Sequence, residues 1–489
     1  MTVRALILAA VFLLSSLVSV NVRADVPDIE GGRLKVVPFP KELPPDGRPR
    51  IVRWLSSAPD GALTRANKPE CSAASFEDAV LRGERDLQKR FDACEKHLKR
   101  WSAPQFWKLL KFVAVEYDLH NHRRIREVRI GIRDNVYRRG LLAMRPGKRP
   151  LVIIQCGLFC DVYDIETKIL LMHLYDGTPF HVLAVGSVTG VDYLRSGSPL
   201  NLGGFDEGQQ LLELIDLLRS PNEPISKHIS SIHLAGASLG AHAVFYSGLY
   251  ASARERSPLA SGIALCPVVN YQGAVENLAA GGAMARALGL RAWDILRRIL
   301  SGAEDPDLRA LAKLPPTQLP RMVEEIGFRQ YAGRSGIWPA PFAELELRQR
   351  ADFWSLGEFE RHASGLKVPV FAWASRDDSV VLAEQNVARL SQHPYVNTLM
   401  SRSGLHCAAP SYYGWDMATV FLRGQILAHS GSFLEKRVSR SLKLDARADL
   451  YDGETFFSYE WEAKKKHLEL RLKIWNPHER TGNSRCGDW

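Results

Sequence analysis

Residues 231–248 read SIHLAGASLGAHAVFYSG, with Gly236, Ser238 and Gly240 spaced Gly-x-Ser-x-Gly. Three matched letters are a weak signal, because Gly alone makes up about 7% of an average chain. The flanks strengthen it. An apolar run, SSIHLAG (230–236), precedes Ser238, and a small-faced helical pattern, LGAHAVF (239–245), follows it. Strand, sharp turn and helix together lift a serine oxygen clear of a sheet. Such a turn forces the serine backbone into a sparsely populated conformation, so Gly236 and Gly240 are expected to relieve clashes around it. The helix start would also bring the Leu239 N–H beside the serine oxygen, where it can hold a developing oxyanion.

The surrounding sequence repeats the strand and helix texture. Short apolar runs stand at 150–156 (PLVIIQC), 181–187 (HVLAVGS), 261–267 (SGIALCP), 368–375 (VPVFAWAS) and 395–401 (YVNTLMS), and 126–134 with 136–146 reads as a strand pair. Amphipathic helical patterns such as EGQQLLELIDLLRS (207–220) lie between them. Continuous apolar strands alternating with helices predict a mostly parallel central sheet with helices on both faces, in residues 126–270 and 366–434. Residues 271–365 break the rhythm with helical stretches and Pro-bearing loops, and are expected to form a helical cap over the carboxyl edge. Residues 25–125 read as an extension, first extended and then helical, and 435–489 as a second extension whose partial alternation suggests a β-hairpin.

A serine hydroxyl needs a base to take its proton, and that base needs an orienting acid. Both should follow the last strands, because sites in open α/β sheets form at the carboxyl ends of strands. The segment VPVFAWASRDDSVVL offers Asp377 and Asp378, and SRSGLHCAAP offers His406, giving the order Ser, Asp, His. Asp378 is favoured because it begins DSVV; Asp377 is the alternative acid, otherwise a neighbour that hydrogen-bonds the turn. His233, within a strand, and His242, on the helix after Ser238, read as packing residues. A second oxyanion donor should come from the loop QCGLFCDVY, where Gly157 permits close approach and Leu158 presents its N–H.

Composition narrows the classes. Of 489 residues 46% are hydrophobic and 24% charged, which is the balance of a folded globular chain. The first residues carry Arg4, an apolar run over 5–20 and small residues at Val22 and Ala24, the layout of a secretory signal over 1–24. Its removal would lower the formal charge from +10 to +8, through loss of Arg4 and Arg23. The remaining basic residues are interrupted by acids, as in KRFDACEKHLKR (89–100), and no nucleic-acid patch is expected. Seven cysteines stand at 71, 94, 156, 160, 266, 407 and 486. Cys71 with Cys94 is a plausible bridge in an exported chain, and no spacing is that of a zinc pair.

Residues 127–430 resemble the α/β-hydrolase superfamily: GASLG matches its nucleophile turn, QCGLF its oxyanion loop, ASRDDSVV its acid loop and GLHCAAP its histidine loop. Within it the chain is similar to the branch of medium-chain ester and acylglycerol hydrolases, with EEIGFRQYAG comparable to a Gly-Phe segment of their cap. Cys156 stands where that branch has a histidine, and Leu405 where it has a glycine. The resemblance implies an α/β-hydrolase fold and a serine hydrolase cleaving small-molecule or lipid-like carboxylic esters, and the leader pattern of residues 1–24 implies that it is periplasmic or secreted. Ser238 would be nucleophile, His406 base, Asp378 acid, and Leu158 and Leu239 N–H groups the oxyanion donors, with no metal or cofactor. The alternatives are a non-catalytic binding protein of the cell envelope on the same fold, and a peripheral envelope association through the basic N-terminal helices.

Overall fold

The computed structural model describes residues 32–37, 51–52, 69–84, 86–97, 124–133, 136–175, 178–190, 193, 201–409, 413, 415–431 and 473–474. The expected signal segment and Cys486 lie outside these residues.

Nine strands form one sheet: β1 (Leu34–Val37), β2 (Ile125–Arg133), β3 (Val136–Ala143), β4 (Arg149–Gln155), β5 (His181–Val185), β6 (Ile229–Ala237), β7 (Ser261–Leu265), β8 (Val370–Ser375) and β9 (Val396–Ser401). Their spatial order is β1-β2-β3-β5-β4-β6-β7-β8-β9. From β5 to β9 all neighbours pair in parallel, whereas β1, β2 and β3 form an antiparallel border joined to β5. This mostly parallel sheet, with helices packed on both faces, has the α/β-hydrolase fold. The chain order reverses around β4, which lies between β5 and β6. A crevice therefore opens at the carboxyl ends of β4 and β6, where ligands bind in sheets of this kind.

Two apolar layers follow from the alternation of side chains along each strand. Leu151 and Ile153 of β4, Leu234 of β6 and Ala372 of β8 face a layer shared with α4 (Gly204–Arg219) and α5 (Leu239–Ser252). Val152, Ile154, Ala235, Phe371 and Trp373 face the other, shared with α3 (Ile165–Tyr175) and α11 (Trp415–Leu427). Helix α5 is buried from Leu239 to Ala251, which accounts for its small and apolar residues on every side.

Helices α1 (Ala73–Leu81) and α2 (Leu87–Glu95) of the N-terminal extension belong to the second layer. Phe91 meets Trp373, Tyr413 and Phe421 edge-on, and the buried Glu77 carboxylate accepts from Arg423 of α11 at 2.5 and 2.6 Å. A Cys71–Cys94 disulfide ties the turn just before α1 to α2, pairing the cysteines the sequence suggests. Strand β1 arises from a stretch expected only as an extended lead-in. Of the C-terminal extension the structure describes Lys473–Ile474 alone, paired antiparallel with Ile51–Val52; the rest of the expected hairpin lies outside the described residues.

Between β7 and β8 the chain forms α6 (Tyr271–Ala280), α7 (Ala283–Ser301), α8 (Pro306–Leu311), α9 (Leu319–Tyr331) and α10 (Arg350–Gly357). These helices are anchored on the first turn of α4. Asp206 there accepts hydrogen bonds from Tyr331 and, at 3.0 Å, from Trp338 Nε1, while Phe205 packs edge-on against Tyr331, Trp338 and Phe353. Burial pushes the Asp206 carboxyl up to about 6. Helix α6 reaches the loop after β8, where Asn277 Nδ2 donates to the carbonyls of Ser379 and Val380 at 2.8 and 2.7 Å. Among the described residues no helix is long and apolar enough to cross a membrane.

Candidate active site

Ser238 sits between β6 and α5 with φ 55° and ψ −119°. A non-glycine residue in this region carries a cost on the order of 1–3 kcal/mol, which the surroundings must over-determine. They do so by close approach. A Cβ on Gly236 would fall 2.3 Å from the Gly240 carbonyl oxygen, and one on Gly240 would fall 2.4 Å from the carbonyl oxygens of Gln155 and Cys156. The two glycines thus let the helix start press against β6 and the end of β4. The Ser238 N–H donates to Leu265 O of β7 at 3.0 Å, and its carbonyl accepts from Ala241 and His242 N–H groups.

His406 Nε2 lies 3.1 Å from Ser238 Oγ, and His406 Nδ1 lies 2.9 Å from Asp378 Oδ2. Asp378 is fully buried, and its other oxygen accepts from the Val380 and Val381 N–H groups at 2.8 and 3.0 Å. That fixes the carboxylate plane and aims Oδ2 at the imidazole. Burial lowers the His406 pKa, but the charge of Asp378 and its hydrogen bond outweigh that and hold it above 6.5. Asp377 does different work. Its Oδ1 accepts from the Leu405 N–H at 2.8 Å, so it ties down the backbone just before His406.

Gly157 brings the loop after β4 against the serine, since a Cβ there would lie 3.3 Å from Ser238 Cβ. Leu158 is half-buried in this turn, and Leu239 is the first residue of α5. The turn is held by the Phe159 N–H, which donates to Thr189 Oγ1 at 2.7 Å, and by the Cys160 N–H, which donates to Gly157 O. Cys156 and Cys160 are buried free thiols, both pushed up by burial, so Cys156 is an apolar filler rather than a nucleophile. His233 and His242 are buried away from the serine: His233 hydrogen-bonds Ser231 and Ser261, His242 bonds Gly357 O, and burial lowers each to about 3.

One feature was not legible in the sequence, and a second only in part, since Cys156, Cys160, Cys266 and Cys407 all fall at strand ends or beside site loops and read either as buried small hydrophobes or as a local bridge. Thr189 supports the turn after β4 from 30 residues away. A second disulfide joins Cys266, directly after β7, to Cys407, directly after His406. The adjacency of Cys407 to the histidine was the available signal, but nothing in the spacing names its partner. Among the described residues the group Cys266, His406 and Cys407 gathers its ligand atoms within 4.8 Å, and in this state its two sulfurs are bonded to each other.

No family model and no curated protein matches the chain. Solved structures do. A structure described as DcsB complexed with its substrate analogue is similar at 18% identity and TM-score 0.41, over 63% of this chain and all of that one. Est1E from Butyrivibrio proteoclasticus is similar at 15% identity and TM-score 0.36, over 64% of this chain and 99% of the other. The Pyrococcus furiosus esterase Pf2001 follows at 16% and 0.38, over 67% and 97%.

Proposed function

We propose that the chain is an exported serine hydrolase that cleaves carboxylic esters. The observation that carries this reading is the hydrogen-bonded series Ser238 Oγ, His406 imidazole, Asp378 carboxylate, set at the carboxyl edge of the sheet. In it His406 takes the Oγ proton as Ser238 attacks the ester carbonyl, and Asp378 keeps the imidazole in the tautomer that presents a lone pair at Nε2. The tetrahedral oxyanion is held by the Leu158 and Leu239 N–H groups. His406 then protonates the leaving alcohol, and water, deprotonated by the same imidazole, releases the acid from the acyl-enzyme. Export is supported by the leader pattern of residues 1–24 and by two disulfides, which persist in oxidising compartments. The test is turnover of p-nitrophenyl esters from acetate to palmitate by the purified protein, with Ser238→Ala as control; absence of Ser238-dependent turnover across the series contradicts the reading.

The same geometry sets the pH dependence. His406 must be neutral to act as base, and its pKa is raised above 6.5, so kcat/KM should fall on acidification with a midpoint above that value. The stability linkage has the opposite sign. A histidine whose folded pKa is raised stabilises the fold below 6.5 and loses that contribution as pH rises through the folded value. Acid loss of activity through His406 should therefore be reversible and unaccompanied by unfolding, with unchanged near-UV circular dichroism across the limb. A limb that coincides with loss of that signal would contradict the assignment.

A further inference from the structure

His406 is flanked by two residues that adopt left-handed backbone without being glycine, Leu405 at φ 50° and Cys407 at φ 57°. Cys266, the other half of the bridge, is a third, at φ 43°. Side chains disfavour this region, so three such residues around one imidazole persist only if the loop is held from outside. The hold before His406 is non-covalent: Asp377 accepts from the Leu405 N–H. The hold after it is the Cys266–Cys407 disulfide. Cys266 is itself a rigid post, buried at the end of β7 with its N–H donating to Trp373 O of β8 at 2.7 Å. Its neighbour Leu265 accepts the Ser238 N–H, so one strand end carries both the serine backbone and the bridge to the histidine.

We infer that the Cys266–Cys407 disulfide is a positioning element for the base. It ties the histidine loop to the strand that anchors Ser238, and the reactivity of Ser238 depends on its being closed. This rests on the hydrolase reading above. Opening it needs a dithiol reductant: a thiolate attacks the sulfur of the partly buried Cys407, the S–S bond breaks and two cysteine thiols form. The two electrons and two protons come from the reductant, which leaves as its own disulfide. The loop then keeps Asp377 and Asp378 but loses its downstream post, and His406 is free to move relative to Ser238 Oγ. Misplacement of a catalytic group by about 1 Å costs on the order of 100-fold in rate, with little effect on ground-state binding.

The experiment uses full-length protein carrying Cys71→Ser and Cys94→Ser, so that a reductant opens only the bridge near the site. Bridge state is read by mass spectrometry after thiol alkylation, and folded population by near-UV circular dichroism. With the bridge open, kcat should fall about 10- to 100-fold with KM nearly unchanged, and reoxidation should restore it. Cys266→Ser with Cys407→Ser should start at the low kcat and ignore the reductant. Full kcat with the bridge demonstrably open overturns the inference, and so does a fall in kcat matched by an equal loss of folded protein, since the bridge would then hold the fold rather than the base. If the oxidised protein shows no Ser238-dependent turnover, the hydrolase reading fails first and takes this inference with it.

Discussion

Ser238→Ala should lower kcat/KM on short p-nitrophenyl esters by roughly 10⁴- to 10⁶-fold while leaving the protein folded. The size follows from what one oxygen does in this site. Ser238 Oγ is the atom His406 Nε2 faces at 3.1 Å, and its loss removes both the attacking group and the proton His406 is placed to accept. The residual rate should come from the oxyanion donors and binding alone. The backbone cost is unchanged, because alanine meets the same penalty at φ 55° as serine does, and the contacts of Gly236 and Gly240 remain. Thermal melts should therefore nearly superimpose. Turnover within about tenfold of wild type would mean that another group does the chemistry.

The second large effect separates the two neighbouring aspartates. Asp378→Asn should reduce kcat by about 10⁴-fold, because an amide cannot both accept from His406 Nδ1–H and keep its other contacts. Either its NH₂ faces Nδ1, which favours the wrong tautomer, or it turns toward the Val380 and Val381 N–H groups and leaves donors facing donors. Asp377→Asn keeps a carbonyl oxygen that can still accept from the Leu405 N–H, and should cost less than about tenfold. The reverse ranking would make Asp377 the orienting acid. Steady-state kinetics on both variants, with kcat and KM separated, decides between them.

The sheet was legible because its strands are buried on both faces: β4 and β7 read as unbroken apolar runs, and the helices between them carry a different period. The serine turn was legible because its glycines are forced by backbone approach, which leaves a local mark in sequence. The choice between Asp377 and Asp378 left no such mark. Both follow the same strand, and the difference lies in which carboxylate the Val380 and Val381 N–H groups turn toward the imidazole. Likewise α1 and α2 read as helices, but their seat against Trp373, Tyr413 and Phe421 rests on contacts about 300 residues apart in sequence, which no local period encodes. The same is true of Cys266 and Cys407, separated by 141 residues. Leu405 runs against the usual preference for glycine at positive φ, and it keeps that conformation between Asp377 on one side and the disulfide on the other.

The central claim is that His406 and Asp378 make Ser238 a nucleophile, and it is tested most directly by reaction with a fluorophosphonate followed by peptide mapping. The account predicts one covalent adduct per chain, on Ser238, formed rapidly by the wild-type protein and not by His406→Ala. A folded protein that stays unlabelled, or an adduct on any other residue, would contradict it.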